Sequence, residues 1–140
     1  MPRRSDKAFL DDIVRAADHI ASMAAGTSLE GYLANDVTRW AIERQLFIVG
    51  EATYRLQEAE SPVYERLSSA QQIVAFRHLL AHGYFKVDDR RVWEVVALHL
   101  PKLRHEAATL LRRAAMGPEG HPDVRRAAEA LDRMAGAKTL

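Results

Sequence analysis

The stretch SAQQIVAFRHLLAHGYF, residues 69–85, decides how this chain is expected to fold. Its larger apolar side chains recur at intervals of three or four residues, which is the spacing of a helix that buries one face; they are Ile73, Phe76, Leu79 and Leu80. Two serines can cap its start, and Gly83 is well placed to end it. The pattern predicts a helix from Ser69 to His82, with polar side chains gathered at its end.

The chain before residue 69 also has apolar residues at helical spacing. Apolar residues predict a first helix over residues 6–25, followed by a short capped turn from Thr27. A longer helix is expected to begin at Asn35 or Asp36, either of which can cap it, and to run to about Glu60. Each of these helices has one apolar stripe.

The chain after residue 85 follows the same pattern. A helix is expected to start near Asp88 and to reach about Ala115, with Pro101 either kinking or dividing it. Glycine and proline mark residues 116–122 as a linker, and a helical tail is expected over residues 123–140. With no convincing strand and no internal repeat, the sequence predicts an all-α fold. Residues 1–115 should form an antiparallel bundle of four to five helices.

Gly50 lies in the middle of the long helix before the opening stretch. Glycine costs roughly 1 kcal/mol relative to alanine inside a helix, so close approach of another backbone is the expected reason for it. The stripe expected to face the core comprises Val37, Ala41, Ile48, Ala52 and Leu56, with Trp40 and Phe47 beside it. Trp40 and Trp93 are interpreted as aromatics of the core or of a dimer interface rather than as surfaces for stacking bases.

The composition limits the classes of protein to which this chain can belong. The chain has 140 residues and a formal net charge of +1, which fits one globular domain and does not mark the whole molecule as a polyanion binder. It contains no cysteine, which excludes disulfides, a thiolate nucleophile and thiolate metal sites. The N-terminus does not resemble a signal peptide, and no apolar run approaches the roughly 20 residues that span a bilayer. We therefore expect a cytoplasmic protein without membrane association.

Arg77, His82 and Tyr84 are the candidate functional residues, with His78 beside them. A histidine could deprotonate a 2′-hydroxyl or protonate a leaving 5′-oxygen. A guanidinium can hold a phosphate and stabilise the charge that grows on its oxygens, and a phenol can position the substrate. These side chains suit cleavage of RNA without a metal, because RNA supplies its own nucleophile.

Arg77 and His82 are five residues apart, which places them about 140° apart around an ideal helix. They cannot share one face of a regular helix. They could converge if the helix ends at His82, or if two copies of the chain each bring half of a site to a two-fold interface. Capping and packing of the helix end would explain the same residues, so spacing alone leaves these possibilities open.

His78 and His82 also have the spacing of metal ligands on a helix. A zinc protease would need glutamate after the first histidine, where this chain has Leu79. We therefore expect neither a metal site nor a cofactor. The isolated histidines are interpreted as structural; they are His19, His99, His105 and His121.

Three charged residues on the long helix allow two interpretations. Glu43, Arg44 and Glu51 could form a set of salt bridges beside Gly50. Alternatively, Glu51 or Arg44 could orient Arg77 or line a dimer cleft.

The arrangement Arg77-x4-His82-x-Tyr84 resembles the Arg-x4-His-x-Tyr signature of the HepT-like HEPN-domain ribonuclease toxins. The similarity covers roughly residues 7–105, and further blocks resemble that family in order: Leu10–Ile13, Ile48–Ala52, His82–Asp88, Val92–Val96 and Leu100–Pro101. The family often has asparagine after the arginine, where this chain has His78. His78 could assist catalysis, bind phosphate or simply pack.

The resemblance implies a HEPN bundle that works as a homodimeric, metal-independent endoribonuclease toxin with a composite cleft. Arg77 and His82 match its catalytic pair, and the substrate would be tRNA or mRNA. Tyr84 matches the tyrosine that a cognate nucleotidyltransferase antitoxin of the MNT type modifies with AMP. An adenylate there would add bulk and negative charge where the RNA phosphate should lie. Toxin and antitoxin could join a larger hetero-oligomer.

Two other functions remain open. The chain could be a non-catalytic HEPN binding module that partners a nucleotidyltransferase. It could also be a purely structural helical dimer, which would require Arg77 and His82 to be buried and paired within their own bundle. The tail after residue 115 could cover the bundle or dock the antitoxin.

Overall fold

The computed structural model describes residues 4–116, 130, 131, 133 and 134, apart from the side chains of residues 84, 115 and 116. Within these residues every regular element is helical, which confirms the predicted all-α fold. The α-helices are α1 (Asp6–Ala24), α2 (Leu29–Ala34), α3 (Asp36–Glu58), α4 (Ala70–His82), α5 (Asp89–Glu94) and α6 (Leu100–Met116). Short 3-10 turns cover Tyr64–Arg66 and Tyr84–Lys86. No helix in the described part combines the length and the apolar character that crossing a bilayer requires.

The chain forms two compact units, residues 1–108 and residues 109–140. The described part of the second unit comprises the end of α6 and four further helical residues, at positions 130, 131, 133 and 134. Most of the predicted linker and tail lies outside the described residues. The division after residue 115 therefore stays a prediction.

Polar side chains begin four of these helices, because each accepts a bond from a backbone N–H that has no partner within the helix. Ser28 and Asn35 lie where the sequence predicts a cap. The capping side chains are Ser5, Ser28, Asn35 and Asp88. Ser69 precedes α4, but its side chain makes no capping bond. The start of α4 therefore depends on other contacts.

The core of the first unit lies where α1 packs along α3 and α3 packs against α4. The predicted apolar face of α1 is buried in this core; its buried residues are Leu10, Ile13, Ala16, Ala17 and Ile20. The short helix α2 contacts both α3 and α5. Tyr32 is fully buried there, with its ring centroid 5.1 Å from that of Trp93. Trp93 itself is half-buried and packs against this core residue.

The buried face of α3 differs from the predicted stripe. Its buried residues are Ile42, Leu46, Val49, Gly50, Ala52, Thr53 and Leu56. Val37 and Trp40 are instead 71% and 63% exposed. The physical reason is that α3 packs against both α1 and α4, so its position between two neighbours selects the buried face. Of the predicted stripe, Ala52 and Leu56 are buried.

Pro101 does not divide the last long helix. Val95–His99 form a π-helical turn, in which the N–H of Leu100 donates to the carbonyl of Val95, five residues earlier. Pro101 follows as the second residue of α6. Proline has no N–H to donate, so one backbone hydrogen bond of the helix is missing at Pro101. The wider π-helical turn just before it allows the helix to continue without that bond.

Candidate active site

Gly50 of α3 lies directly against Arg77 of α4. A Cβ atom added at Gly50 would lie 3.2 Å from Cγ and 3.3 Å from Cα of Arg77, and closer still to its Cβ. Such contacts are too short for a real side chain, so glycine is what allows the two helices to approach here. The expected close approach is confirmed, and it brings the polar residues next to Gly50 within reach of Arg77.

Two side chains of α3 hold the guanidinium of Arg77. Its Nε donates to Oε2 of Glu51 at 2.7 Å, and its Cζ lies 4.2 Å from the ring centroid of Tyr54. Glu51 is braced in turn, because its Oε1 accepts from Nε of Arg55 at 3.0 Å. The side chain of Arg77 is 20% exposed. Its orientation is therefore well determined while part of it still reaches solvent.

The remaining donors of Arg77 suit an anion. A guanidinium has five N–H donors, and Glu51 takes the single one on Nε. Among the described residues, none accepts a hydrogen bond from the two Nη atoms. Paired guanidinium N–H groups are the donors that bind a phosphate in a bidentate manner. The contact with Glu51 thus orients Arg77 and leaves the edge that carries its two Nη atoms open.

His78 and His82 lie one turn apart at the C-terminal end of α4. Their ring centroids are 4.9 Å apart, with the ring planes inclined by 56°. Both residues are exposed, and side chains four residues apart meet on one helix face. Imidazoles both donate and accept protons, so the pair could serve as an acid and a base toward a bound substrate.

Among the described contacts, none joins Arg77 to His82. Helix α4 ends at His82, which is one of the two conditions considered for convergence, but residue 82 is still helical and lies about 140° from residue 77 around the axis. Arg77 contacts Glu51 and Tyr54, whereas the ring of His82 contacts that of His78. The structure therefore brings the candidate residues together as two separate groups.

Tyr84 begins the 3-10 turn that follows α4. The helix ends at His82, and Gly83 follows as its C-cap, as the sequence predicts; the N–H of Gly83 donates to the carbonyl of Leu79 at 2.8 Å. The backbone of Tyr84 therefore lies in the turn directly after the helix end that carries His82. Its side chain lies outside the part of the molecule that the structure describes, so its role stays a prediction.

Of the three charged residues considered on α3, Glu51 is the one that reaches Arg77. Burial, followed by the charge of Asp89, raises the pKa of Glu43. Arg44 makes no salt bridge with any described residue. The salt-bridge set with Arg44 is therefore not formed, whereas the contact expected if Glu51 orients Arg77 is present.

Tyr54 is the site residue that the sequence did not indicate. The available signal was spacing, since residue 54 lies three positions after Glu51 and four after Gly50, and residues so spaced share a helix face. A hydrogen bond to Glu58 raises the pKa of the Tyr54 phenol. Glu58 and Arg77 therefore both contact this one side chain.

The other histidines do not join the site. His19 lies with its Nδ1 3.3 Å from Oε1 of Gln45, His99 is in the π-helical turn, and His105 is exposed on α6. His121 lies outside the described residues. Across the described residues, no group of three histidine, aspartate or glutamate side chains is arranged to hold a metal ion.

Comparisons with known proteins match most of this chain. A family model described as "Ribonuclease HepT-like" matches residues 13–110, a range that includes Gly50, Arg77, His82 and Tyr84. "Putative RNase MJ1216" of Methanocaldococcus jannaschii is 29% identical over 112 residues, which cover 80% of this chain and 92% of that protein. "Probable ribonuclease HepT" of Thermococcus cleftensis is 29% identical over 102 residues, which cover 73% of this chain and 92% of that protein.

A bacterial relative, "Putative RNase TTE0752" of Caldanaerobacter subterraneus, is 24% identical over 110 residues, which cover 79% of this chain and 97% of that protein. No solved structure is a significant match. The family match spans well over half of the chain and contains both groups of candidate residues. The chain therefore belongs to the ribonuclease HepT-like family.

Proposed function

We propose that this chain is a metal-independent endoribonuclease toxin of a toxin–antitoxin pair. Membership of the ribonuclease HepT-like family supports ribonuclease activity of the HepT type. The observation that carries the residue assignment is the contact of Glu51 and Tyr54 with Arg77. That contact orients a cation with free donors, on the helix whose end exposes His82.

The proposed reaction is attack of a ribose 2′-oxygen on the adjacent phosphorus. The bond from the 2′-oxygen to phosphorus forms as the bond to the 5′-oxygen breaks, which leaves a 2′,3′-cyclic phosphate and a 5′-hydroxyl. Arg77 binds the phosphate and stabilises charge on its non-bridging oxygens. His82 acts as general acid or base, taking the proton of the 2′-hydroxyl or supplying one to the 5′-oxygen. His78 is an auxiliary candidate for the second proton transfer.

A homodimer would assemble these groups into one cleft. Because Arg77 and His82 point about 140° apart on one helix, we propose that each site takes Arg77 from one protomer and His82 from its partner. A two-fold axis would then create two equivalent sites. The exposed apolar side chains of Val37 and Trp40 on α3 support an interface with another protein surface.

Tyr84 is the proposed target of AMP addition by a cognate nucleotidyltransferase antitoxin of the MNT type. Its backbone follows His82 by two residues, so a bulky, negatively charged adenylate there would compete with RNA for the same cations. Toxin and antitoxin could then form a larger hetero-oligomer in the cytoplasm.

The test of the ribonuclease assignment compares three variants on an RNA substrate. Arg77→Ala and His82→Ala should each abolish cleavage, whereas Arg15→Ala should not, because that exposed arginine of α1 pairs with Asp11. Circular dichroism should show intact helices in all three, and EDTA should have no effect on the wild type. Unchanged cleavage by the Arg77 and His82 variants would show that the site assignment is wrong. A wild type that binds a nucleotidyltransferase but cuts no RNA would favour the binding-module alternative.

A second experiment tests the proposed silencing. The intact mass of the protein is measured after expression with and without its genomic neighbour, and peptides over residues 77–86 are mapped. An added adenylate on Tyr84 only in the presence of the neighbour is the expected result. An unmodified protein that is harmless when expressed alone would contradict the proposal.

A further inference from the structure

A groove of about 500 Å³ lies between α1 and α3, beside the residue that holds Arg77. Its lining includes two phenyl rings and three arginines, namely Phe9, Phe47, Arg4, Arg44 and Arg55. Three carboxylates also line it, namely Asp12, Glu51 and Glu58. We propose that this groove binds single-stranded RNA next to the scissile phosphate. The proposal rests on the ribonuclease function proposed above and names the part of the molecule that holds the substrate.

The aromatic side chains of the groove are paired with guanidinium groups. Cζ of Arg4 lies 5.0 Å from the ring centroid of Phe9, and Cζ of Arg44 lies 5.8 Å from that of Phe47. Both rings are partly exposed. Unpaired bases stack on aromatic faces and on guanidinium planes, and this binding tolerates any sequence. The two pairs thus offer stacking surfaces for bases.

Arg44 is the arginine of the groove lining that no described carboxylate pairs. Arg4 pairs with Asp12 at 2.5 Å, and Arg55 pairs with Glu51 at 3.0 Å and with Glu58 at 3.2 Å. Arg44, by contrast, has no salt bridge to any described carboxylate. Its guanidinium is therefore available to a phosphate of the RNA backbone.

Toward the N-terminus of α3, the groove adjoins a second recess, since Arg44 lines both. This second recess between α1 and α3 is lined by Arg44 together with His19, Ser22 and Gln45. The lining of the two recesses reaches along α3 from Ala41 to Glu58, a rise of roughly 26 Å at 1.5 Å per residue. That length accommodates several nucleotides of an extended strand.

Glu51 connects the groove to the proposed reaction centre. The residue lines the groove, and its two carboxylate oxygens contact Arg55 and Arg77. A strand with one phosphate on Arg77 would therefore enter the groove with its neighbouring nucleotides. A duplex would fit poorly, because its base faces are covered and only its phosphates and grooves are accessible.

The test measures binding without cleavage. A short fluorescein-labelled single-stranded RNA of mixed sequence, with every 2′-hydroxyl methylated, is titrated with the full-length protein and followed by fluorescence anisotropy at several salt concentrations. Arg44→Gln should weaken binding and reduce the slope of log affinity against log salt by about 0.7, the value for one phosphate contact to a single strand. Phe47→Leu should weaken binding at least about fivefold, as loss of one stacked base predicts, with the salt slope unchanged. Arg15→Gln, outside the groove, should match the wild type.

The outcomes separate this proposal from the ribonuclease function. If the wild type cleaves unmodified RNA in an Arg77-dependent manner but the Arg44 and Phe47 variants bind like the wild type, the groove proposal is overturned and the ribonuclease stands. If the Arg44 and Phe47 variants instead change the molecular mass in solution and not RNA binding, a second protein chain covers the groove and the proposal is again overturned. Salt-dependent binding that needs Arg44 supports the groove even where no cleavage is found. Thermal unfolding of each variant verifies that it is folded.

Discussion

Arg77 and His82 belong to the same helix, yet the fold determines them to very different degrees. Arg77 lies against Gly50, donates to Glu51 and is covered by the ring of Tyr54. His82 is exposed, and its described ring contact is to His78 alone. The fold of one chain therefore orients Arg77, the proposed phosphate-binding group. It leaves His82, the proposed proton-transfer group, accessible to a substrate or a second protomer.

The largest effect on stability and cleavage together is expected from a substitution that pushes α4 away from α3. Gly50→Ala adds a methyl group where Arg77 leaves no room. The substitution gains roughly 1 kcal/mol of helix propensity, but overpacking costs more. We expect the free energy of unfolding to fall by about 1–2 kcal/mol in denaturant titrations, together with a loss of RNA cleavage because Arg77 moves.

Gly31→Ala is the matched control for that substitution. A Cβ added at Gly31 would lie 3.5 Å from its nearest neighbours, which is ordinary contact. This variant should be as stable as the wild type or slightly more stable. Equal stability of the Gly50 and Gly31 variants would show that the helix contact does not fix Arg77.

Glu51→Gln should weaken the site more than the fold. Glu51 and Arg77 are both partly exposed, so their pairing contributes at most about 1 kcal/mol to stability. Misplacing a group that binds the reacting phosphate can cost up to about a hundredfold in rate. We expect kcat to fall by ten- to a hundredfold, roughly, with little change in Tm. Glu94→Gln, which removes the exposed ion pair with Arg91 on α5 and touches neither Arg77 nor Tyr54, should keep most activity. An equal loss there would contradict the positioning role of Glu51.

Tyr54 offers a smaller and more selective test. Tyr54→Phe keeps the ring over Arg77 and removes only the hydroxyl, whereas Tyr54→Ala removes a cation–π contact worth about 0.5–1 kcal/mol. Cleavage should therefore fall several-fold for alanine and remain near wild type for phenylalanine. Equal losses in kcat/KM would show that the hydroxyl, not the ring, matters.

The smallest effect is expected at Glu43, a carboxylate of α3 that makes no ion pair with Arg77. Burial and Asp89 raise the pKa of Glu43, so the folded chain binds that proton more tightly than the unfolded chain. Its contribution to stability is full at low pH and is lost as pH rises through the raised pKa. Glu43→Gln should therefore be neutral or slightly stabilising at pH 7. The difference should vanish below about pH 4.5 in unfolding curves, and marked destabilisation at pH 7 would show that the charge is needed.

Features that depend on neighbouring residues in the chain could be predicted from the sequence. Caps such as Ser28 and Asn35, and the end of α4 at Gly83, follow from local backbone bonds. The close approach at Gly50 could also be anticipated, since a glycine inside a long helix needs a reason. Its partner Arg77, however, was visible only in the packed structure.

Features that depend on packing between helices could not be predicted in the same way. The face of α3 that is buried depends on where α1 and α4 lie, and Val37 and Trp40 are exposed in spite of their hydrophobicity. Tyr54 joins the site because α4 passes over its ring. The π-helical turn before Pro101 likewise depends on how the surrounding helix accommodates a missing donor.

The most direct test of the central claim mixes two inactive variants. Chains with Arg77→Ala and chains with His82→Ala are unfolded together, refolded and assayed for RNA cleavage beside each variant alone. If each site takes Arg77 from one protomer and His82 from its partner, half of the dimers are mixed and each holds one intact site of two, so about a quarter of wild-type activity should return. A mixture that stays as inactive as the separate variants would contradict the composite site and would place both residues in the same chain's site.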